Sequence, residues 1–332
     1  MRTWRSVVAL SFTLMPLWTT AHHSFAAFDS DKEAIVRGTI SGYRFLNPHV
    51  YFTVDVPQQD GSVATWRIET ETRNDLYRNG WRDDSLQNGD IVTVRVNPPK
   101  NLAQRFGRLI SLEKSDGTVL ATPNEDDERG RAGLVAATDM SGVWLPIQSF
   151  FDYRAKIGPL TTKSALSERA ELRAAGYDRR SLCIDTPIPE TLGRAHVHEI
   201  DIVSDDLVLI HSEDWSEPRQ IFLDGRNHPA ALPEDERSYR GHSIGHWEGE
   251  TLVVDTNLFK PMPGEAGPRK HLVERYRLSD DRTHIVLDFT IEDPDYLSAP
   301  VSHSYEWVYS PHIVRLPYSC DMETADWYLE AF

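Results

Sequence analysis

From Phe28 onward, apolar and polar residues alternate in short runs, each closed by glycine, proline, asparagine or aspartate. Residues 34–40 form a β-branched run that stops near Gly42, and 50–56 form another that stops at Pro57. Asp60-Gly61 then turns the chain and 63–68 returns, which is the pattern of a hairpin. Residues 91–96 alternate strictly until Pro98-Pro99 breaks them, and 109–113 and 119–120 flank the turn Asp116-Gly117. Residues 73–81 predict a short helix ending near Gly80. Five or six short strands with one short helix predict a small barrel or sandwich.

A second series opens at Ser141-Gly142-Val143-Trp144. Residues 164–175 predict a helix, with Ser167 and Glu168 in its first turns and Gly176 as its C-cap. Strands follow at 198–203, at 207–211 after Asp205-Asp206, and at 220–223. The clearest hairpin pairs 242–247 with 251–255 across Glu248-Gly249-Glu250, and 271–278 pairs with 283–291 around Asp280-Asp281. Residues 301–309 supply a further strand. Consecutive hairpins at this spacing predict an antiparallel meander closed as a barrel. Between the two series, 123–133 is polar, charged and glycine-bearing, as linkers are. The expected fold is therefore mainly β. It consists of two antiparallel β domains: a small barrel or sandwich at 22–122 and a larger, lipocalin-like barrel at 141–332, joined by a linker at 123–140.

Composition adds an address and excludes some partners. Residues 1–21 carry Arg2 and Arg5, an apolar run from 7 to 18, and Thr19-Thr20-Ala21. This is the pattern of a secretory signal, and the run is too short to span a membrane. Export to the periplasm or the exterior is expected. The chain holds 35 Lys and Arg against 51 Asp and Glu, a net charge of −16. Such a charge opposes phosphate backbones and anionic lipid, so nucleic-acid binding is not expected. The only two cysteines are Cys183 and Cys320, and an oxidising compartment predicts a single bridge between them.

Several of these stretches resemble known families. His22-His23-Ser24-Phe25, Phe28-Asp29, Asn47-Pro48-His49, Gly80-Trp81, Gly89-Asp90 and Asn97-Pro98 resemble a family of bacterial secreted proteins of unknown function, over about residues 22–120. Residues 241–256, GHSIGHWEGETLVVDT, resemble another widespread bacterial domain without an assigned activity. The Gly142-x-Trp144 opening is similar to that of lipocalin-type barrels. These resemblances imply secretion and a two-domain division. They imply no reaction.

Two constellations could carry chemistry. Cleavage after Ala21 would make His22 the amino terminus, joining an α-amine and an imidazole on one residue with His23 beside it. With His49 as a remote ligand this makes a candidate copper site, because nitrogen ligation in a plane suits Cu(II). It is similar to the histidine brace of secreted copper oxygenases. Cleavage after Thr20 would instead place His23 third, the spacing of a flexible terminal chelate. The second constellation is His242 and His246, which share one strand face, with Asp255 on the paired strand as an orienting carboxylate. These three are candidate catalytic residues. No nucleophile elbow surrounds Ser243, and the acids at 292–295 read as turn chemistry.

The functional expectation is an exported binding protein, with copper at the mature terminus and a small apolar molecule in the second barrel. An enzyme built around His242, His246 and Asp255 (hydrolase, isomerase or oxidoreductase) and a cell-envelope adaptor are the alternatives.

Overall fold

The computed structural model describes residues 27–122, 135–147 and 150–325. Residues 1–21, where a leader is expected, His22, His23 and most of the 123–140 stretch lie outside the described residues. The first domain contains β1 (Ala34–Arg44), β2 (Tyr51–Pro57), β3 (Val63–Glu69), α1 (Arg73–Arg78), β4 (Ile91–Asn97), β5 (Phe106–Lys114) and β6 (Val119–Ala121). Five strands close in the order β3-β2-β1-β4-β5. A closed ring of an odd number of strands cannot be antiparallel throughout, so one pairing must be parallel. Here it is β3 with β5, at Arg67 opposite Phe106. β5 serves two partners on that edge: its first half closes the ring, and its second half pairs with β6. Alternation turns Val36, Ile40, Phe52, Val54, Ile68, Val92 and Val94 into the core, where Leu76 of α1 and Trp81 cap them. The helix is shorter than its sequence suggested because Gly80, at φ +89°, ends the turn.

The second domain is a nine-stranded barrel: β7 (Gly142–Pro146), β8 (His198–Ser204), β9 (Leu207–Ser212), β10 (Arg219–Phe222), β11 (His242–Glu248), β12 (Thr251–Asn257), β13 (His271–Leu278), β14 (His284–Glu292) and β15 (Val301–Tyr309). Each strand pairs with its neighbour in sequence and β15 closes on β7. Nine is again odd, and the parallel seam falls between β10 and β11. The segment 223–241 carries the chain back along the barrel to make that seam. Two helices, α2 (Phe150–Ile157) and α3 (Lys163–Ala174), lie between β7 and β8. Ala137 and Met140 already pack into this second core.

The barrel interior is filled. Trp144, Trp307, Tyr276 and Tyr305 are 0 % exposed, and the buried residues include an ion pair. Arg219 donates to both oxygens of Glu274, to Thr256 Oγ1 at 2.7 Å and to Ser243 Oγ at 3.0 Å, and Tyr276 donates to Glu274 at 2.8 Å. A buried charge pair is tolerated when every remaining donor and acceptor is satisfied in this way.

The two ends of this barrel differ. One end carries tight connections at 205–206, 249–250 and 279–283. The other carries the long ones, 147–197, 213–218, 258–270 and 293–300, and it is where the first barrel docks. Asn47 organises the contact: its backbone accepts from Asp321 N at 3.1 Å, and its side chain accepts from Arg73 N at 3.0 Å. Arg78 of α1 pairs with the buried Glu213, which also accepts from Leu316 N at 2.7 Å. Cys183 and Cys320 are disulfide-bonded, as expected, and fix the carboxy-terminal segment against this end.

Replacing Glu274 by alanine leaves Arg219 buried without its counter-charge. We expect Glu274→Ala to lose about 3–5 kcal/mol in urea unfolding. A loss below about 1 kcal/mol, the scale of an exposed ion pair, would show that the pair is not shielded from water.

Candidate functional site

The long connections at the open end of the second barrel meet loops of the first barrel around a cavity of about 1130 Å³. α2 and α3 form its roof. Thr162 caps α3 by accepting from Ala165 N at 3.2 Å, and its own N–H donates to Tyr296 O at 2.9 Å, which anchors the helix to the 293–300 connection. Arg169 of α3 donates to Gly264 O, joining the roof to the 258–270 connection.

One wall is built on Glu190, which follows the cis Ile188–Pro189 bond. Arg154 of α2 reaches this carboxylate through Nε at 3.2 Å and Nη2 at 2.9 Å. Arg194 Nη1 lies 3.2 Å away and Arg179 Nη2 3.4 Å away. Burial alone would raise the pKa of Glu190, but Arg154, Arg179 and Arg194 outweigh it and hold the group below its ordinary value. The guanidiniums of Arg154 and Arg194 both lie 5.1 Å from the centre of the Phe150 ring. The wall therefore sets an aromatic ring beside two cations.

Beside this wall, Asp214 accepts from Thr191 Oγ1 at 2.9 Å and lies 4.0 Å from His196 Nε2. Burial drives His196 down to about 4 despite the attraction of Asp214, so the imidazole is neutral at physiological pH. His198, on the core side, is buried, stacks on Trp307 at 4.5 Å, and is driven down to about 3 for the same reason.

The first barrel supplies the opposite wall. His49 follows the cis Asn47–Pro48 bond, and its Nδ1 lies 3.0 Å from Thr70 O. His49 and His196 both line the cavity. Burial pushes Asp75 up to about 7, and Arg108 donates to Glu71 at 2.6 Å. Among the described residues, eight Lys and Arg line the cavity against seven Asp and Glu, in a chain where acids outnumber bases 51 to 35. Asp185, one of the seven, is engaged by Arg240 from outside the lining.

Among the described candidate catalytic and metal-binding residues, His49 lines this cavity, as do Pro48 before it and the Cys183–Cys320 bridge. His242 and His246 do share a face of β11, but it is the outer one, because Ser243 between them is the side chain turned into the core. His246 is 64 % exposed and lies beside Glu248. Asp255 orients neither of them directly. It meets His228 Nε2 at 3.0 Å and His271 Nε2 at 3.1 Å, and His228 Nδ1 in turn lies 2.8 Å from His242 Nδ1. The interior expected to hold an apolar ligand is occupied by side chains, and the open space lies at the barrel's mouth. Among the described residues no group of three or more His, Cys, Asp or Glu is arranged to hold a metal ion, and no helix is long and apolar enough to cross a membrane.

The wall around Glu190 went unread in the sequence. Its signal was the irregular stretch 175–197, long for a compact domain and bearing Arg179, Arg180 and Arg194 in an acidic chain.

The depressed histidines have a consequence for stability. Below the unfolded pKa of 6.5 the unfolded chain takes a proton that His198 cannot take in the fold, so stability falls as pH drops. His198→Phe removes that penalty and keeps the stack on Trp307. Relative to the wild type, the variant should gain about 2 kcal/mol between pH 8 and pH 5, since one pKa unit is worth about 1.4 kcal/mol. Denaturant unfolding at the two pH values measures it, and a pH-independent difference would show that His198 titrates normally.

Residues 13–107 match a family of unknown function (DUF6152), in line with the resemblance noted for the first half. No curated protein is similar enough to match the chain.

Proposed function

We propose that the protein is an exported binding protein that holds a small organic anion with an apolar body in the cavity between its two barrels. One observation carries this reading: Arg154 and Arg194 each lie 5.1 Å from the centre of the Phe150 ring on the cavity wall while sharing a single carboxylate. Glu190 uses only part of their donor capacity, since each guanidinium offers five N–H groups. A ligand carboxylate could take the remaining donors while its apolar portion packs on Phe150. The lining supports this sign of charge, because cations outnumber acids there and nowhere near so in the chain as a whole. Pockets of this size at domain junctions are the usual sites for small ligands. The Cys183–Cys320 bridge supports an oxidising compartment, and the charged amino-terminal leader supports export. Binding is favoured over catalysis because Glu190 and Asp214 are held ionised and His196 neutral without a hydrogen bond to either.

Calorimetry with 3-phenylpropionate tests the reading. Arg194→Ala should weaken binding roughly 10- to 100-fold, the worth of one hydrogen bond to a charged group. Added salt should weaken it as well. Equal affinity in the wild type and in Arg194→Ala would place the ligand elsewhere.

A second reading retains copper at His22, His23 and His49. One observation favours it: a backbone carbonyl beside Nδ1 of His49 is the contact that commonly orients an imidazole for metal binding through its other nitrogen. Metal analysis of protein with its native amino terminus should find about one copper per chain, lost in His49→Ala. Copper retained in that variant would remove His49 from the ligand set.

A further inference from the structure

Lysine is scarce in this chain, with seven lysines in all. Six are exposed or half-buried, and Lys270 alone is buried, at 3 % exposure. It lines the cavity between the barrels. Elsewhere the chain buries its cations as arginine, at Arg179, Arg219 and Arg240. Arginine is the better residue for a buried ion pair, but it cannot shed its proton, whereas lysine can and then becomes a nucleophile.

The surroundings of Lys270 differ from those of the buried arginines. Its Nζ donates to Ile188 O and lies 4.2 Å from the centre of the Phe259 ring. Among the described residues it has no ion pair. The charged groups facing it are Asp293, Glu265, Glu274 and Arg219. Each acid has another obligation: Glu265 to Arg179, Glu274 to Arg219, and Asp293 to the N–H of Gly267. Burial therefore prevails over their attraction, and the ammonium is pushed down to about 8. About one molecule in ten then carries the free amine at pH 7. Ile188, which holds Nζ, stands two residues before Glu190, and Lys270, Glu190, Arg154 and Arg194 line the same cavity.

We propose that Lys270 is a carbonyl-reactive amine, and that the ligand of the cavity is a keto acid or a carboxylate-bearing aldehyde retained as a Schiff base. This rests on the cavity being the binding site. The neutral Nζ attacks the carbonyl carbon, the C–N bond forms, and the C=O π pair moves to oxygen, which takes the proton lost by nitrogen. The carbinolamine then expels water to leave the C=N bond. No oxidant or reductant is required, and the step reverses by hydrolysis.

Borohydride trapping of the full chain tests the inference. The protein is incubated with pyruvate or phenylpyruvate and sodium cyanoborohydride at pH 7, digested, and mapped by mass spectrometry. A single reduced adduct on Lys270 is expected, blocked by excess 3-phenylpropionate. Lys270→Arg should abolish the adduct, and Lys270→Met serves the same purpose if the arginine does not fit. The inference is overturned if Lys270 carries no adduct, or if adducts instead spread over the exposed Lys32, Lys100, Lys156 and Lys163. When 3-phenylpropionate binds but nothing is trapped, only the Schiff base falls. When neither occurs, the binding reading falls with it.

Discussion

Three guanidiniums converge on one buried carboxylate, and the wall of the cavity depends on that contact. Glu190 sits where water is largely excluded, so its charge would be costly without Arg154, Arg179 and Arg194. These residues come from a helix, from an irregular segment and from the turn just after Glu190 itself. Satisfying one charge therefore pins three separate pieces of chain into a single wall. Glu265 and Asp214 extend the network outward through Arg179 and Arg194.

The barrels explain why the wall is there. Closing a ring of sheet removes exposed strand edges, and an odd count fixes one parallel seam in each ring. With the interior of the larger barrel occupied by tryptophans, tyrosines and the Arg219–Glu274 pair, open space is left at an end. Tight turns leave one end with little to work with. The opposite end gathers the long connections, the disulfide and the first barrel. The Asn47-Pro48-His49 stretch serves that junction: Asn47 holds the carboxy-terminal segment and His49 faces the cavity.

How much could be read in the sequence follows from the same physics. Strands and hairpins were legible, because a period of two and turn residues are local signals, and 242–247 with 251–255 emerged as β11 and β12 nearly to the residue. The Cys183–Cys320 bridge was legible because two cysteines allow one internal pairing. The period of two placed His242 and His246 on one face but could not say which, since Ser243 and Gly245 give the opposite face no apolar mark. Only the packing of Ser243 against Arg219 and Thr256 settles that they point outward. α2 was missed because FFDYRAKI lacks a clear apolar stripe, and its value lies in where it delivers Arg154. The cavity itself depends on contacts between residues as distant as Arg78 and Glu213, which no local pattern encodes.

The most direct test of the account is to see where an organic anion settles. Crystals grown with 4-bromobenzoate would place the bromine by its anomalous signal. The account predicts a peak in the cavity, with the carboxylate on Arg154 or Arg194 and the ring against Phe150. A peak on the outer wall near His242, or inside the second barrel, would contradict it.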